Sequence, residues 1–255
     1  MAWLRRELGY FFAACGYFSR LPVPAWVGFS PEALHAAARY LPAVGLLVGG
    51  LGSAVFVAAQ TLWPQPVAVL LALAAMLLAT GAFHEDGLSD TADGLGGGWE
   101  RARILEIMKD SRVGSYGVVA LWLGLSSKLL LLASLPPALV VPALVAGHAV
   151  SRYAALGLMA TLDYARADAS SKARPVAQRL SAGSLAFAAL FALPPLYWLP
   201  PWSALLALGL LLLATLWLAG KCRRWLGGYT GDTLGAVQQL GEIAFYLGLA
   251  AQWPA

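Results

Sequence analysis

The chain has 255 residues, of which 60% are hydrophobic and 12% are charged, with a formal net charge of +4 at pH 7. A soluble domain carries about 25% charged residues, so this composition excludes an ordinary soluble protein and indicates an all-α, polytopic membrane protein. The only two cysteines, Cys15 and Cys222, lie far apart and have no metal-type spacing, so we expect two free thiols. We expect one membrane-embedded domain over 1–255.

The first forty residues combine aromatic and basic side chains, a mixture typical of a membrane interface. Glycines and Arg20 interrupt the first apolar run, and no clean signal-peptide cleavage pattern follows it. We therefore interpret 1–40 as an interfacial helical segment. Within it, Ser30 and Pro31 predict the N-cap and the first residue of a short helix over 30–40.

Seven apolar segments follow, and a bilayer-spanning helix needs about 20 predominantly apolar residues. These segments are 41–62, 67–83, 117–135, 138–162, 185–199, 205–219 and 234–253. We expect six or seven transmembrane helices. The short turns between alternate segments carry no Lys or Arg, whereas the N-terminus and the stretches 84–116, 163–184 and 220–233 carry nearly all the basic residues. The positive-inside rule then predicts that the N-terminus and these polar stretches of a multi-pass membrane protein lie in the cytoplasm.

One of these polar stretches, 84–116, holds seven of the thirteen acidic residues and is predicted to be a cytoplasmic catalytic loop. Asp86, Asp90 and Asp93 have the spacing i, i+4 and i+7, which places them on one face of a helix. Three carboxylates on one face repel one another unless a cation lies between them, and Mg²⁺ with oxygen ligands is the simplest candidate. The alternative is a solvated acidic loop between two membrane helices.

The residues around the acids suggest a phosphate-bearing substrate. Basic side chains follow at Lys109 and Arg112, and Arg174 or Arg179 is a further candidate for holding phosphate charge. The proton of an attacking hydroxyl could pass to a carboxylate or to His84, for which an ordinary interfacial histidine is the alternative. This pattern favours phosphoryl or prenyl transfer at the cytoplasmic face.

Polar residues inside the predicted spans have other interpretations. We expect Lys128 to extend its ammonium group to the external headgroups. His148 and Arg152 share a helix face, and the expected partner of Arg152 is Asp163 or a loop carboxylate. Glu242 either faces the cytoplasmic site or lies in a polar seam between helices.

Two long runs, HEDGLSDTADGLGGG and ERARILEIMKDSRVGSYGVVAL, and the later run GGYTGDTLGAVQQLGE resemble the cobalamin synthase family, the adenosylcobinamide-GDP ribazoletransferases. The likeness extends along the whole chain in length, span count and motif order. It implies a Mg²⁺-dependent membrane enzyme that joins adenosylcobinamide-GDP to α-ribazole or its 5′-phosphate through a ribose hydroxyl and releases GMP. The expected partners are these small molecules and the lipid bilayer, with no nucleic acid.

The resemblance guides a provisional assignment of roles. Assigned to the metal are Asp86, Asp90 and Asp93, with Glu85 or Asp110 assisting; His84 and the acids of its motif are the catalytic candidates. Assigned to substrate are Gly96, Gly97, Lys109, Asp110, Ser111, Arg112, Thr230, Asp232, Thr233 and Glu242. Asp232 or Thr233 is also expected to cap the helix from Leu234 onward, and such an N-terminus can bind an anion. A homo-oligomer could form through a small-residue face at Gly45, Gly49 and Gly52.

Two classes of alternative remain at this point. Asp90, Asp93 and Gly94 match the opening D-x-x-D-G of CDP-alcohol phosphotransferases, but 95–98 depart from the Ala-Arg pair and further aspartates that continue that motif. Membrane prenyltransferases also have aspartate-rich motifs, with a different spacing. A transporter would place its polar groups near the bilayer midplane, unlike the acids here. The released product distinguishes the enzymes: GMP, CMP or free diphosphate.

Overall fold

A computed structural model describes residues 2–166 and 179–252. These ranges contain eleven α-helices and no β-strand, which confirms the all-α prediction. The helices are α1 (Ala2–Phe18), α2 (Pro31–Ala37), α3 (Leu41–Gln60), α4 (Gln65–Thr80), α5 (Phe83–Gly97), α6 (Arg101–Ile107), α7 (Ser115–Ser134), α8 (Pro137–Thr161), α9 (Ala182–Ala192), α10 (Pro201–Lys221) and α11 (Gly231–Leu249). Short 3₁₀ segments lie at Ala38–Tyr40 and Pro194–Trp198, and a π-helical turn lies at Cys222–Leu226.

Four helical segments are long and apolar enough to cross a membrane: Pro31–Gln60, Ser115–Ser134, Pro137–Thr161 and Pro201–Leu226. The helices α4 and α5 pass the same test only as a pair and would make a fifth span. By length and composition, the described residues thus hold four or five candidate spans, and the prediction of six or seven stays a prediction. The 11 residues of α9 extend only about 16 Å, against roughly 30 Å for the hydrocarbon core. These helices fit a multi-pass membrane protein.

A sharp break separates α4 from α5, which meet at 87°. It lies at Gly81 and Ala82, which both adopt left-handed backbone conformations with φ of 67° and 56°. Glycine ends a helix this way at little cost, whereas the alanine is a strained position. The predicted span 67–83 therefore ends early, at Thr80. Because α5 carries five ionisable side chains in 15 residues, we treat it as lying outside the apolar spans.

At the centre of the bundle is α11, which packs against α5, α7, α8 and α10. Most of its side chains are buried, including the polar Gln238, Gln239 and Glu242. Buried polar groups need partners, because an unpaired one costs free energy comparable to a lost hydrogen bond. The polar residues of α11 therefore require polar groups on the helices around it.

The small residues of α3 allow close packing within the chain. A methyl group added at Gly49 would lie 2.8 Å from the carbonyl oxygen of Leu144 on α8. Gly45 is likewise pressed against the α8 backbone at His148, and Gly52 against the Met76 side chain on α4. Helices can approach this closely only where side chains are small. The face suggested for an oligomer is thus occupied inside the protomer, and a homo-oligomer stays a prediction.

The first forty residues contain α1 and α2, joined by a non-helical stretch over 19–30, and their interfacial position stays a prediction. Ser30 caps α2, and its hydroxyl accepts a hydrogen bond from the backbone N–H of Ala33 at 3.2 Å. The helix α1 packs against α2 and α3 and leaves Trp3 and Leu4 exposed. Both cysteines are free thiols and are buried.

Candidate active site

The predicted catalytic loop 84–116 is not a loop throughout, because it contains α5 and α6. On α5 the three aspartates share one face, as their spacing predicted, and their exposure differs. Asp86 is exposed, Asp90 is half-buried and Asp93 is 8% exposed. Gly87, which follows Asp86, allows α5 to pack closely against α11. A methyl group at Gly87 would lie 2.6 Å from the backbone oxygen of Asp232 on α11. This contact brings the N-terminus of α11 beside the aspartates.

The cap of α11 differs from the one predicted. Thr230 is the N-cap, and its hydroxyl accepts from the backbone N–H of Thr233 at 3.2 Å. The Thr233 hydroxyl in turn accepts from the N–H of Thr230 at 2.8 Å. Because the cap does not depend on Asp232, that carboxylate is available to pair with Arg166 at 2.7 Å. Burial raises the pKa of Asp232 and Arg166 opposes this shift.

Negative charge accumulates around Asp90. Burial raises the pKa of Asp90 to about 7, and Asp86 and Asp232 add to the shift by charge repulsion. Arg166 is the nearby cation that acts in the opposite direction. A carboxyl group with such neighbours gains from any further cation that binds beside it.

Two other predicted metal ligands already have partners. Asp93 accepts hydrogen bonds from the backbone N–H groups of Gly114, at 2.7 Å, and Gly117, at 2.8 Å, and so holds the N-terminus of α7. Asp110 pairs with Arg112 at 2.6 Å, and hydrogen bonds from Arg112 lower the pKa of Asp110 to about 2. Asp86 and Asp90, by contrast, accept no hydrogen bond from a side chain within the described ranges.

Behind α5 lies a buried ionic network that joins α5, α7, α8 and α11. Its centre is Glu242 on α11, which is fully buried. Its carboxylate lies 2.6 Å from the Lys128 ammonium, 2.9 Å from Nδ1 of His148 and 3.4 Å from the Arg152 guanidinium. Gln238 also donates a hydrogen bond to it. Glu242 thus lies in a polar seam between helices, one of its two predicted positions.

The network corrects two sequence-based expectations. Lys128 does not extend to the headgroups, because its side chain is 4% exposed and points to Glu242. Arg152 pairs with Glu242 and not with Asp163, which instead pairs with Arg179 at 3.0 Å on the surface. Glu85 belongs to the same network.

Glu85 accepts a hydrogen bond from Gln239 at 2.8 Å and lies 3.9 Å from Lys128. It is 9% exposed, whereas the next residue, Asp86, faces solvent. Adjacent residues on a helix point about 100° apart, so one of these acids anchors α5 while the other remains available at the surface.

Among the cavities that line α5, two lie at its opposite ends. The aromatic pocket is at the N-terminal end, and six of the thirteen residues that line it carry rings. Its rings belong to Tyr17, Phe18, Phe83, His84, Tyr164 and Tyr229. The polar groove is at the C-terminal end, beside Asp93 and Gly97, and carries the charged side chains of Arg103, Glu106, Asp110 and Arg112. The exposed part of the aspartate face lies between the two.

The remaining predicted residues are scattered around this face. His84 is buried and lines the aromatic pocket. Gly96 contacts the ring of Tyr116, while Gly97 is exposed in the polar groove. Lys109 and Ser111 are exposed on the segment that precedes α7. Arg174 lies outside the described residues.

Sequence reasoning missed several residues near the site. Arg166 was noted only as part of a basic stretch, although it pairs with Asp232. The aromatic residues Tyr17, Tyr164 and Tyr229 come from three distant segments, so no local pattern could unite them. The pair Gln238 and Gln239, placed in an apolar helix, was the available signal for the ionic network.

In the described ranges, no group of three or more acidic, histidine or cysteine side chains is arranged to hold a metal ion. The described residues thus do not form a complete set of metal ligands. Mg²⁺ does not need one, because it binds through one or two carboxylates and substrate phosphates and keeps several waters. Asp86 and Asp90 offer oxygen ligands of that kind. Burial first, and repulsion from Asp86 and Asp232 second, raise the pKa of Asp90, and a cation bound there would relieve the repulsion.

Comparisons with known proteins point to one family over nearly the whole chain. The family model described as cobalamin-5-phosphate synthase matches residues 10–250. A relative in Shewanella woodyi, named adenosylcobinamide-GDP ribazoletransferase, is 47% identical over 96% of both chains. Relatives with the same name in Leptothrix cholodnii and Ralstonia pickettii are 47% and 45% identical over 99% and 97% of both chains. No solved structure matches. The chain belongs to the cobalamin-5-phosphate synthase family.

Proposed function

We propose that this protein is an adenosylcobinamide-GDP ribazoletransferase. It joins adenosylcobinamide-GDP to α-ribazole or α-ribazole 5′-phosphate, and releases GMP. A ribose hydroxyl attacks the phosphorus on the cobinamide side, a new P–O bond forms to the ribose, and the P–O bond to GMP breaks. The names of relatives covering 96% or more of the chain support this reaction.

One structural observation carries the proposal: the exposed aspartate face of α5 lies between a polar groove and an aromatic pocket. A nucleotide diphosphate needs cations around its phosphates, and Arg112 and Arg103 stand in the polar groove. A nucleoside acceptor needs a surface for its base, and the aromatic pocket offers one. The site therefore has separate places for the two substrates on either side of the acids.

The residues have distinct proposed roles. Asp86 and Asp90 would hold Mg²⁺, and the ion would supply positive charge to the phosphate oxygens. Arg112 and Lys109 bind the diphosphate, as the sequence predicted, and Arg166 orients Asp232 at the edge of the site. His84 accepts the proton of the attacking hydroxyl. Asp93 acts indirectly, because it fixes the start of α7 next to the polar groove.

We also propose that the protein lies in the bacterial inner membrane with this face toward the cytoplasm. The basic residues Arg101, Arg112, Arg166 and Arg224 all lie at the end of the bundle that carries α5 and α6, and the opposite turns have none. That asymmetry supports the orientation. Cysteine accessibility in right-side-out vesicles tests it, because a cysteine placed at Ser111 should react only after the membrane is opened.

The reaction is tested by a product assay on the purified protein in detergent. Adenosylcobinamide-GDP, α-ribazole 5′-phosphate and Mg²⁺ should yield GMP and a new corrinoid in equal amounts, and EDTA should stop the reaction. Asp90→Asn should abolish turnover and leave the protein folded, whereas Glu32→Gln, an exposed variant on α2 away from both cavities, should stay active. Release of CMP from a CDP-alcohol, with no GMP from the cobinamide substrate, would overturn the proposal.

A further inference from the structure

We propose that the aromatic pocket binds the aromatic base of the ribazole substrate and thereby sets the position of its attacking ribose. This inference rests on the proposed function and extends it, because it assigns one of the two substrates to a defined place. Ribazole is a riboside of dimethylbenzimidazole, a flat two-ring base with two methyl groups. Its chemistry matches the pocket in polarity and in location.

The pocket is built from ring edges and faces. Phe83 contacts Tyr17 and Phe18 of α1, each with ring centroids 6.1 Å apart and the rings nearly perpendicular. Tyr164 and Tyr229 form a second pair at 5.5 Å. Perpendicular and offset arrangements are those that aromatic rings prefer, and a flat base inserted between the two pairs would extend them.

One polar atom in this apolar lining has no partner. Tyr229 is 1% exposed, and its hydroxyl makes no hydrogen bond to any described residue. An unpaired buried hydroxyl costs about 1–3 kcal/mol, so this hydroxyl gains from a ligand that accepts a hydrogen bond. A benzimidazole that carries ribose on one nitrogen has a single remaining ring nitrogen, which is an acceptor.

Polarity also decides between the two substrates. Guanine carries several donors and acceptors on its edge, and an apolar pocket would leave most of them unpaired. Dimethylbenzimidazole has one acceptor, and its methyl groups gain from burial against rings. The pocket therefore suits the ribazole base, and the guanosine end of the other substrate fits the polar groove.

The spacing of the two cavities along α5 agrees with one substrate in each. Phe83 and His84 of α5 line the aromatic pocket, and Asp93 and Gly97 of the same helix line the polar groove. Asp93 lies seven positions after Asp86, which corresponds to a rise of about 10 Å along the helix. A nucleoside held at one end and a diphosphate approaching from the other would bring ribose and phosphorus together over Asp86 and Asp90.

Equilibrium binding of α-ribazole to the purified protein tests the assignment without turnover. Tyr229→Phe should weaken α-ribazole binding by roughly 2- to 10-fold, the worth of one neutral hydrogen bond. It should leave thermal stability unchanged or higher, because it removes an unpaired buried hydroxyl. The matched control is Tyr246→Phe, whose hydroxyl is equally buried and unpaired among the described residues but lies outside the pocket. Tyr246→Phe should not change α-ribazole binding.

A second variant and a competitor complete the test. Phe83→Leu should raise KM for α-ribazole several-fold and leave KM for adenosylcobinamide-GDP unchanged, and free dimethylbenzimidazole should compete with α-ribazole only. A rise in KM for adenosylcobinamide-GDP alone would mean that the pocket holds guanine and would overturn the assignment. Wild-type protein that binds α-ribazole but releases no GMP would instead contradict the proposed function.

Discussion

Replacing Lys128 by methionine should destabilise the protein strongly. The ammonium group lies 2.6 Å from Glu242 and 3.9 Å from Glu85, and the side chain is 4% exposed. In the wild type, the carboxylates of Glu85 and Glu242 are matched by Lys128 and Arg152. Methionine leaves two buried carboxylates facing one guanidinium, and removing one partner of a buried ion pair costs about 3–5 kcal/mol.

That cost should appear as a fall in melting temperature of roughly 6–20 °C, since 1 kcal/mol corresponds to about 2–4 °C in a chain of this size. Thermal unfolding in one detergent, followed by circular dichroism, measures it. The control is Arg103→Met, because Arg103 and Glu106 form an ion pair that is 61% and 69% exposed. An exposed pair contributes about 0–1 kcal/mol, so this variant should melt within a few degrees of wild type.

The double variant Lys128→Met/Glu242→Gln distinguishes charge imbalance from lost packing. It restores one buried carboxylate to one guanidinium, so it should be more stable than the sum of its single variants by about 0.5–3 kcal/mol. If Lys128→Met melts like the Arg103→Met control, the ammonium does not belong to the network. That outcome would instead favour the headgroup position that the sequence predicted.

Three further results are expected. Gly49→Ala should destabilise the protein by about 1–3 kcal/mol, since its methyl would lie 2.8 Å from an α8 carbonyl, while Gly50→Ala, with no atom within 4 Å, should be neutral or stabilising in the same melt. Because the pKa of Asp90 is raised to about 7, the folded protein loses stability as this carboxyl ionises between roughly pH 4 and pH 7. Mg²⁺ binds the ionised carboxylate, so it should raise the melting temperature more at about pH 8 than at pH 5.5. Asp90→Asn should abolish this difference. Arg166→Met should lower kcat/KM for GMP release roughly tenfold or more, whereas Arg179→Met, at an exposed surface pair, should not.

Local spacing predicted those features that depend on a single helix. The positions of Asp86, Asp90 and Asp93 define one face whatever surrounds the helix, so their shared orientation needed no tertiary information. The Ser30 cap was predictable for the same reason, because it involves residues three apart. Hydropathy also separated the long apolar helices from the polar stretches, and four or five of those helices are candidate membrane spans.

The contacts between segments were beyond sequence reasoning. The spacing rule treats Asp93 like its neighbours, but the start of α7 packs beside it and its carboxylate binds the N–H groups there. Lys128 near a helix end is compatible with both a headgroup contact and a buried pair. Only the position of Glu242 on another helix, 114 residues later in the chain, decides between them.

The buried ionic network and the exposed aspartate face are joined through neighbouring residues of α5. Glu85 is tied to α11 through Gln239 and lies near Lys128 of α7, and the next residue, Asp86, begins the exposed aspartate face. A polar helix that is bent by 87° from the preceding apolar helix would otherwise have little to fix its rotation. A rotation of α5 would break the contacts of Glu85 with Gln239 and Lys128. The buried charges therefore fix the direction in which the aspartates of α5 point. We therefore expect that variants of the network reduce turnover even where they leave α-ribazole binding intact.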